Sequence, residues 1–323
     1  DRSSVSLKDV LQDLDSDDAP QIWKQKFWAS PRDVRLLDRL SLYPRLRDHV
    51  RKTRETDSNK PWIMAEGFQP VGKSDNPEKA QTLKLPSKKF LDAKSANIDL
   101  FILPDDCLDL KKDSVTVRNR SNKNTNIFHA PHVLVSEGFT SIAFADFDVS
   151  FQDALRGIHG PKSDADLLAF LTAYLRSPLA KYYLFHTSSS WGIARPVVKV
   201  QELMRLPIPF PEQQSHPKRC REIVKKVSKT IKDTADKARD NFMNRSGIIA
   251  DATAIIEPLI YEYFDIQPLE KLLIEDTLNI ILPSIQPNQK RMPVPTVKAS
   301  TADQREAYMN RVCGMLNMWA KNG

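Results

Sequence analysis

The stretch from His132 to Phe144, His-Val-Leu-Val-Ser-Glu-Gly-Phe-Thr-Ser-Ile-Ala-Phe, decides how the middle of this 323-residue chain folds. Two short apolar runs are separated by Gly138, and this pattern predicts two strands joined by a tight reversal. Further short apolar runs lie upstream, at Trp62 to Met64, Ile98 to Leu103 and Val115 to Val117. The middle of the chain is therefore predicted to be rich in β-structure.

Helical patterns flank this region on both sides. Ser30 followed by Pro31 has the residue types of an N-cap and a first helical residue, and Ser177-Pro178 repeats the pairing. The charged run from Arg45 to Arg54 is interpreted as a solvated segment that leaves the first helical region. Amphipathic patterns predict further helices at Ala165 to Arg176, Ile248 to Phe264, Leu269 to Leu282 and Thr301 to Lys321. The β-rich middle of the chain and the helical regions on either side of it together predict an α+β fold.

A seam of apolar residues follows the β-rich region at spacings of three and four. It predicts a long helix that packs against another helix, and it comprises Val224, Val227, Ile231, Ala235, Ala238 and Phe242. Three regions result: a helical linker (1–59), a small twisted β-rich domain with helices (60–215) and a helical spacer and docking region (216–323). A proline-punctuated link, Pro283 to Pro295, precedes the last helix.

The bulk composition narrows the class of protein. Lys and Arg number 48 against 41 Asp and Glu, and the resulting charge of +7 is compatible with a polyanionic partner. No run approaches the roughly 20 apolar residues of a membrane helix. The cysteines, Cys107, Cys220 and Cys313, are widely spaced, which argues against disulfides or a zinc site and favours the cytoplasm. The start, Asp1-Arg2-Ser3-Ser4, is interpreted as the cut edge of a longer protein.

The residue types that methyl transfer to adenine requires are absent from this sequence. Such enzymes need a glycine-rich loop for S-adenosylmethionine and an Asn/Asp-Pro-Pro-Tyr/Phe clamp for the flipped base. The nine glycines include no Gly-x-Gly, and there is no Pro-Pro pair. No catalytic residue is therefore assigned.

Other short motifs admit a chemical interpretation, but a plain one is favoured for each. Asp105 and Asp109-Leu-Lys111 have the letters of a nuclease metal site, yet the acids are too close in sequence to lie on two neighbouring strands, so an acidic turn is preferred. Asp146 with Asp148, and His129 with His132, are interpreted as turn caps and a strand-edge pair, and no metal site is assigned. The serines from 188 to 190 near His186 lack a nucleophile elbow and are interpreted as a polar loop.

Two basic tracts remain. Five cations against one acid lie between Lys111 and Asn126, interleaved with four asparagines. Arg and Lys neutralise phosphates or pair with guanine, and Asn makes a two-point contact with adenine, so this tract suits a DNA groove. A solvated hairpin tip accounts for it equally well. The second tract, Lys218 to Arg245, has ten cations and four acids. It suits either the phosphate backbone or, more readily, a solvated spacer face.

The region from Pro61 to Pro211 resembles the target-recognition domains of type I restriction-modification specificity subunits and of single-chain adenine-N6 methyltransferases. The first segment that carries the likeness is Phe128-His-Ala-Pro-His-Val-Leu-Val-Ser-Glu-Gly138. The second is Leu167-Leu-Ala-Phe-Leu-Thr-Ala-Tyr-Leu-Arg-Ser177 with Leu179 to Phe185. The third comprises Trp191-Gly192, Arg195, Val200, Leu203 and Leu206-Pro-Ile-Pro209, followed by a spacer that begins near Glu212.

This resemblance implies a module that docks in the major groove of double-stranded DNA and presents it to a methyltransferase domain or subunit. S-adenosylmethionine would bind that missing unit, to which residues 1–59 would be the link, and the chain would be no enzyme on its own. The specificity loops of such domains differ freely, so the bases that are read are not transferable.

The charges and loop contexts give the candidate DNA contacts. The stronger candidates for bases or phosphates are Arg118, Arg120, Asn122, Lys123 and Asn124, and the weaker candidates for the DNA backbone are Lys73, Lys88, Lys89, Lys162 and Arg195. The rival hypothesis is a helical interaction scaffold in an anti-phage defence complex, which holds a partner through its C-terminal helices. A diverged metal-dependent nuclease using Asp105 and Asp109 comes third.

Overall fold

A computed structural model of the chain describes residues 6–8, 11, 19–52, 59–73, 75–93, 98–193, 197–285 and 300–322. The strands are β1 (Val50–Lys52), β2 (Trp62–Glu66), β3 (Gln81–Lys84), β4 (Lys89–Leu91), β5 (Leu108–Asp109), β6 (Ser114–Val117), β7 (His132–Ser136), β8 (Ile142–Ala145), β9 (Ser150–Phe151) and β10 (Leu155–His159). The helices are α1 (Ala19–Trp28), α2 (Pro31–Ser41), α3 (Leu46–His49), α4 (Ala165–Arg176), α5 (Pro178–Thr187), α6 (Val200–Leu203), α7 (Pro217–Asp240), α8 (Arg245–Tyr263), α9 (Pro268–Asp276), α10 (Leu282–Ile285) and α11 (Ala302–Asn322). The fold is α+β.

A five-stranded sheet separates two apolar cores. Its strand order is β1-β2-β10-β7-β8, with β1 parallel to β2 and the other pairs antiparallel. Successive side chains of a strand point to opposite faces, and here both faces are buried. Met64, Val133 and Val135 belong to the core on the helical side, whereas Ile63 and Leu134 belong to the core on the other side. The sheet is therefore the wall between a helical layer and a second β-layer.

The second β-layer consists of two small sheets. β3 pairs with β6 in an antiparallel ribbon, and β4 lies between β5 and β9. Their inward side chains, among them Leu83, Leu91 and Phe151, pack with Phe68 and Phe128 against the central sheet. The exposed surface of this layer carries the polar loops.

The second helix of the helical layer, α2, is capped by Ser30, as the sequence predicts. The Ser30 hydroxyl accepts from the amide of Asp33, whose carboxylate accepts from the Ser30 amide at 2.7 Å. The same carboxylate accepts from the Tyr182 hydroxyl at 2.7 Å, and Arg39 pairs with Glu270 at 2.5 Å. These contacts join α2 to α5 and α9. Residues 19–52 therefore share one core with the rest of the layer, although the functional division of the chain at residues 59 and 215 stays a prediction.

The long helix α7 buries the predicted seam as far as Ala238 against α4 and α8, and Phe242 lies beyond the end of α7 in a 3₁₀ turn. Val224, Val227 and Ile231 are at most 4% exposed, so the seam packs within the chain. The turn between α7 and α8 is fixed to the β-side by Arg245, whose side chain is 3% exposed. Its guanidinium lies 2.6 Å from Asp106 and also donates to the carbonyl of Phe101.

Most predicted elements are confirmed, with two corrections. The β7–β8 hairpin, β6, α4, α5 and α8 lie within a few residues of the predicted bounds. Ile98 to Leu103 is not a strand, because its contact with β8 is limited to the Phe101–Phe144 bridge before Pro104 starts a 3₁₀ turn. Most of the predicted link from Pro283 to Pro295 lies outside the described residues.

The second correction concerns Arg45 to Arg54, which is not a solvated segment in its described part. Leu46 and Val50 are fully buried, and the Leu46 amide donates to the carbonyl of Leu206 at 2.8 Å. Residues 50 to 52 form β1. These apolar residues pair with elements far away in sequence, which a local charge pattern does not reveal. Among the described helices, none is long and apolar enough to cross a membrane.

Candidate nucleic-acid interface

The β3–β6 ribbon presents a polar face outward. Opposite residues of an antiparallel pair lie on the same face, and the pairs Leu83–Val115 and Gln81–Val117 set the inward face. The other pairs, Thr82–Thr116 and Lys84–Ser114, therefore point away from the core. Four residues span about 13 Å at the usual rise of a strand. The ribbon is thus a short strip of hydroxyls and one ammonium on an apolar base.

A recess at one end of this ribbon gathers three cations. It has a volume of about 290 Å³, and its lining includes Lys79, Arg118 and Arg120 together with Asn119 and Asp75. The side-chain amide of Gln81 donates to the side-chain oxygen of Asn119 at 2.8 Å, which orders the rim of the recess. Two residues predicted from the sequence, Arg118 and Arg120, are thereby brought together with Lys79, which the sequence analysis did not single out.

Arg118 has the most defined geometry in the recess. Its Nε donates to Oδ2 of Asp75 at 2.6 Å, and the same oxygen accepts from the Gly72 amide at 2.6 Å. The Gly72 amide, and after it the Arg118 guanidinium, hold the pKa of the Asp75 carboxyl below its ordinary value despite some desolvation. Asp75 is therefore an ionised anchor for the arginine.

The opposite end of the ribbon is also basic. Lys84, Lys88, Lys111 and Lys112 are exposed there. Two backbone hydrogen bonds hold the chain in place there. The Leu85 amide donates to the carbonyl of Asp113, and the Leu110 amide donates to the carbonyl of Lys88. The predicted contact Lys89 lies in β4, and its ammonium is 3.0 Å from Asp109.

The predicted asparagines brace their own loop. Asn122 donates to the carbonyl of Glu66 at 2.9 Å, and its side-chain oxygen accepts from the Asn124 amide at 3.0 Å. Asn124 in turn accepts from the amide of Asn126 and caps the 3₁₀ turn that follows. These contacts occupy part of the hydrogen-bonding capacity of both side chains, so their assignment as base readers stays a prediction.

The remaining predicted DNA contacts are Lys73, Lys123, Lys162 and Arg195. Lys73 and Lys123 are exposed on the loops that border the ribbon layer. Lys162 is exposed in a 3₁₀ turn just before α4, on a different element. Arg195 lies outside the described residues.

The motifs for which a plain interpretation was preferred have structural partners. His132 is buried and bonds to the carbonyl of Ile127 at 2.8 Å, and burial lowers its pKa to about 4. His129 lies 3.1 Å from Asp148. Among the described residues, no three His, Cys, Asp or Glu side chains converge as metal ligands. Asp109 pairs with Lys89, and Asp105 lies in the turn Pro104–Asp106.

The serines near His186 lie at the edge of the helical core, with Ser188 buried, Ser190 partly buried and Ser189 exposed. Ser188 is buried, and Lys24 lies 3.5 Å from its hydroxyl while donating to the carbonyl of Trp191 at 2.6 Å. Burial lowers the pKa of Lys24 to about 8 and that of His186 to about 4. This arrangement ties α1 to the turn after α5, and the exposed Ser189 hydroxyl donates to the carboxylate of Glu202 at 2.6 Å.

Sequence comparisons find no relative: no family model matches the chain, and no curated protein does. Solved structures do resemble it. One is the HsdS subunit from Thermoanaerobacter tengcongensis, with 15% identity over 79% of this chain and a TM-score of 0.27. Another comes from a structural study of complex assembly and conformational transition of the type I R-M system, with 13% identity over 79% of this chain and a TM-score of 0.26.

The chain spans about half the length of these proteins, matching 56% of each. At such identities and TM-scores the likeness carries no conclusion about what the chain binds.

Proposed function

We propose that this chain is the sequence-recognition part of an adenine DNA methyltransferase or restriction-modification enzyme, and that it binds double-stranded DNA through the β3–β6 ribbon. The observation that carries the proposal is the outward face of the ribbon, which is polar along its length and basic at both ends. The residue-level resemblance of the middle of the chain to target-recognition domains supports the same conclusion.

The dimensions of the ribbon suit a duplex groove. The major groove of B-DNA is about 12 Å wide and admits a two-stranded ribbon. A strip of about 13 Å with cations at its ends places hydroxyl and ammonium groups at base edges and brings the terminal cations within reach of phosphates and of the outermost bases. In this arrangement the phosphates supply affinity, and the side chains between them supply sequence discrimination.

Methyl transfer would belong to another domain or subunit. That unit would bind S-adenosylmethionine and flip the adenine, because this sequence has neither a Gly-x-Gly loop nor a Pro-Pro clamp. A cytoplasmic location follows from a role on DNA in a bacterium. The chain by itself is then a binding protein without turnover.

Selection from a randomised duplex pool tests the proposal directly. The purified chain is mixed with the pool, bound duplexes are recovered over several rounds, and the products are sequenced. We expect enrichment of a short motif, because polar side chains at base edges distinguish base pairs. Recovery without any motif, or no recovery at physiological salt, contradicts the proposal.

The rival function, a helical protein-interaction scaffold, has one observation in its favour. The terminal helix α11 exposes an apolar stripe at helical spacing that includes Tyr308, Met315 and Trp319, the last of which is 77% exposed. A scaffold would bind DNA weakly and without sequence preference, so the same selection separates the two functions.

A further inference from the structure

We infer that Arg118, held by Asp75, recognises a guanine base in the major groove and sets one position of the DNA target. This inference rests on the proposed function and deepens it by naming a specificity-determining residue and its ligand. Asp75 acts as a positioning residue, because it would touch the arginine and not the guanine.

The arginine is fixed at both ends. Its backbone amide donates to the carbonyl of Gln69 at 3.0 Å, which secures the chain where β6 ends. Its Nε is bound to Asp75, and that carboxylate is itself bound to the Gly72 amide. A long side chain normally loses rotamer freedom when it binds a ligand. Here much of that loss has already occurred in the free protein, so a ligand meets a guanidinium of fixed direction.

The outer edge of the guanidinium, formed by Nη1 and Nη2, has no acceptor from the described part of the chain bound to it, so it is open to a ligand. Among the described residues, none accepts a hydrogen bond from Nη1 or Nη2. Gly72 lies against this end, since a Cβ there would be 3.0 Å from Nη2 and 3.2 Å from Oδ2 of Asp75. A glycine therefore leaves the space that the pair occupies, and Arg118 lines the recess of about 290 Å³.

The chemistry of this edge fits guanine. Guanine presents O6 and N7 as two acceptors in the major groove, and the paired N–H groups of an arginine bind both. A phosphate also accepts two such bonds, but the carboxylate of Asp75 beside the arginine repels an anion. The same carboxylate is compatible with a base edge, where the amino group of a neighbouring cytosine or adenine is a donor. The ion pair thus favours a base over a phosphate.

The test uses the motif enriched by the wild-type chain and a set of duplexes in which each position is replaced in turn. For the wild type we expect one guanine whose replacement weakens binding about 5- to 150-fold. Arg118→Lys keeps the charge but loses the two-point geometry, so discrimination at that position should fall close to onefold while other positions keep theirs. Asp75→Ala should have the same local effect.

Two further variants sharpen the result. Arg239→Lys is the matched control, because Arg239 also pairs with an aspartate, Asp236, at 3.2 Å but lies on α7 and does not line the recess, so it should leave every base preference in place. Gly72→Ala displaces the guanidinium without changing any charge and should weaken the same guanine preference as Arg118→Lys. Thermal unfolding of each variant confirms that it is folded.

The outcomes separate the two levels of inference. A wild-type chain that enriches no motif overturns the proposed function and this inference with it. If the base preference at every position of the motif persists in Arg118→Lys, the assignment of Arg118 is wrong, while the proposed function is unaffected. If Asp75→Ala tightens binding to every duplex and leaves the preferences intact, Arg118 contacts a phosphate and the guanine assignment is wrong.

Discussion

The two basic tracts of this chain look similar as sequence and differ as structure. On α7 and at the start of α8, half of the ten cations between Lys218 and Arg245 have acidic partners. The pairs are Arg219–Glu262, Arg221–Glu212, Lys232–Asp166, Arg239–Asp236 and Arg245–Asp106. In the tract from Lys111 to Asn126, Arg118 pairs with Asp75, and the other four cations have no ion pair among the described residues.

This difference shows that a cation count does not locate a binding surface. Three of the partners, Glu262, Asp166 and Asp106, lie 43 to 139 residues away. The packing of α4, α7 and α8 brings Glu262 and Asp166 close, and the contact of the start of α8 with the turn Pro104–Asp106 brings Asp106 close. The ribbon cations instead border a polar face that no other described element covers. Unneutralised charge beside hydrogen-bonding groups suits a nucleic acid better than charge that already has partners.

The largest effect expected from this comparison is on stability, at Arg245. Arg245→Met leaves the carboxylate of Asp106, which is 9% exposed, without its partner. Breaking a buried pair in this way costs about 3 to 5 kcal/mol in the free energy of unfolding. Urea unfolding followed by circular dichroism measures this loss.

The control for Arg245 is a double variant. Arg245→Met combined with Asp106→Asn removes both charges and should recover part of the loss, which gives a coupling energy between the two residues. A single-variant loss below about 1 kcal/mol would show that Asp106 is rehydrated and that the pair does not hold the turn to the β-side.

The second-largest effect is on DNA affinity, and it compares the two basic tracts directly. Replacement of Arg118, Arg120 and Lys123 together with Ala should reduce the slope of log K against log salt by about 1.8, because Arg118 is assigned to a base and the other two cations to phosphates, and should reduce the affinity at 0.15 M salt by about 100-fold. The matched triple of Lys226, Lys229 and Lys237, which are exposed on α7, loses the same charge and should change both quantities much less. Fluorescence anisotropy titrations across a range of salt concentrations measure them.

Equal losses for the two triples would break the comparison. They would mean that α7 follows the phosphate backbone as closely as the ribbon does, or that only net charge matters. Unchanged binding in the ribbon triple would remove these residues from the interface altogether.

The smallest effect is expected at an exposed helix pair. Partial burial would raise the pKa of Asp166, but hydrogen bonds from Ser228 and Lys232 outweigh it and hold that pKa below its ordinary value. Lys232→Ala should nevertheless cost less than about 1 kcal/mol of stability, because both side chains are more than 40% exposed. The loss should vanish in 1 M salt, where such pairs are screened. Lys229→Ala is the control, and a loss that persists in high salt would contradict the screening argument.

The sequence predicts elements well where local chemistry decides them. Ser30 and Ser177 cap the helices that start at Pro31 and Pro178, and Gly138 lies in the turn of the β7–β8 hairpin. In these cases a side chain acts on backbone groups within a few residues, so the signal is present in a short window.

The sequence predicts less where distant residues meet. Arg118 is among the predicted contacts, but its partner Asp75 lies 43 residues earlier and follows a glycine whose role is visible only in three dimensions. The ribbon strand Gln81-Thr-Leu-Lys84 is too short to stand out, so Lys79, Lys84 and Gln81 were missed. Alternation across its four residues is the one signal that points to the strand and so to Gln81 and Lys84, and it does not extend to Lys79 in the preceding 3₁₀ turn.

The central sheet has a consequence for how target specificity changes. The ribbon layer rests on inward side chains such as Leu83 and Val117, which pack with Ile63 and Leu134 of the wall. The outward residues of the same strands take no part in that packing. If the ribbon reads DNA as proposed, a new target sequence requires substitutions at a few outward positions, such as Thr82 and Thr116, while the helical side of the protein stays as it is. The DNA target can then change while the packing of the helical layer on the central sheet is kept.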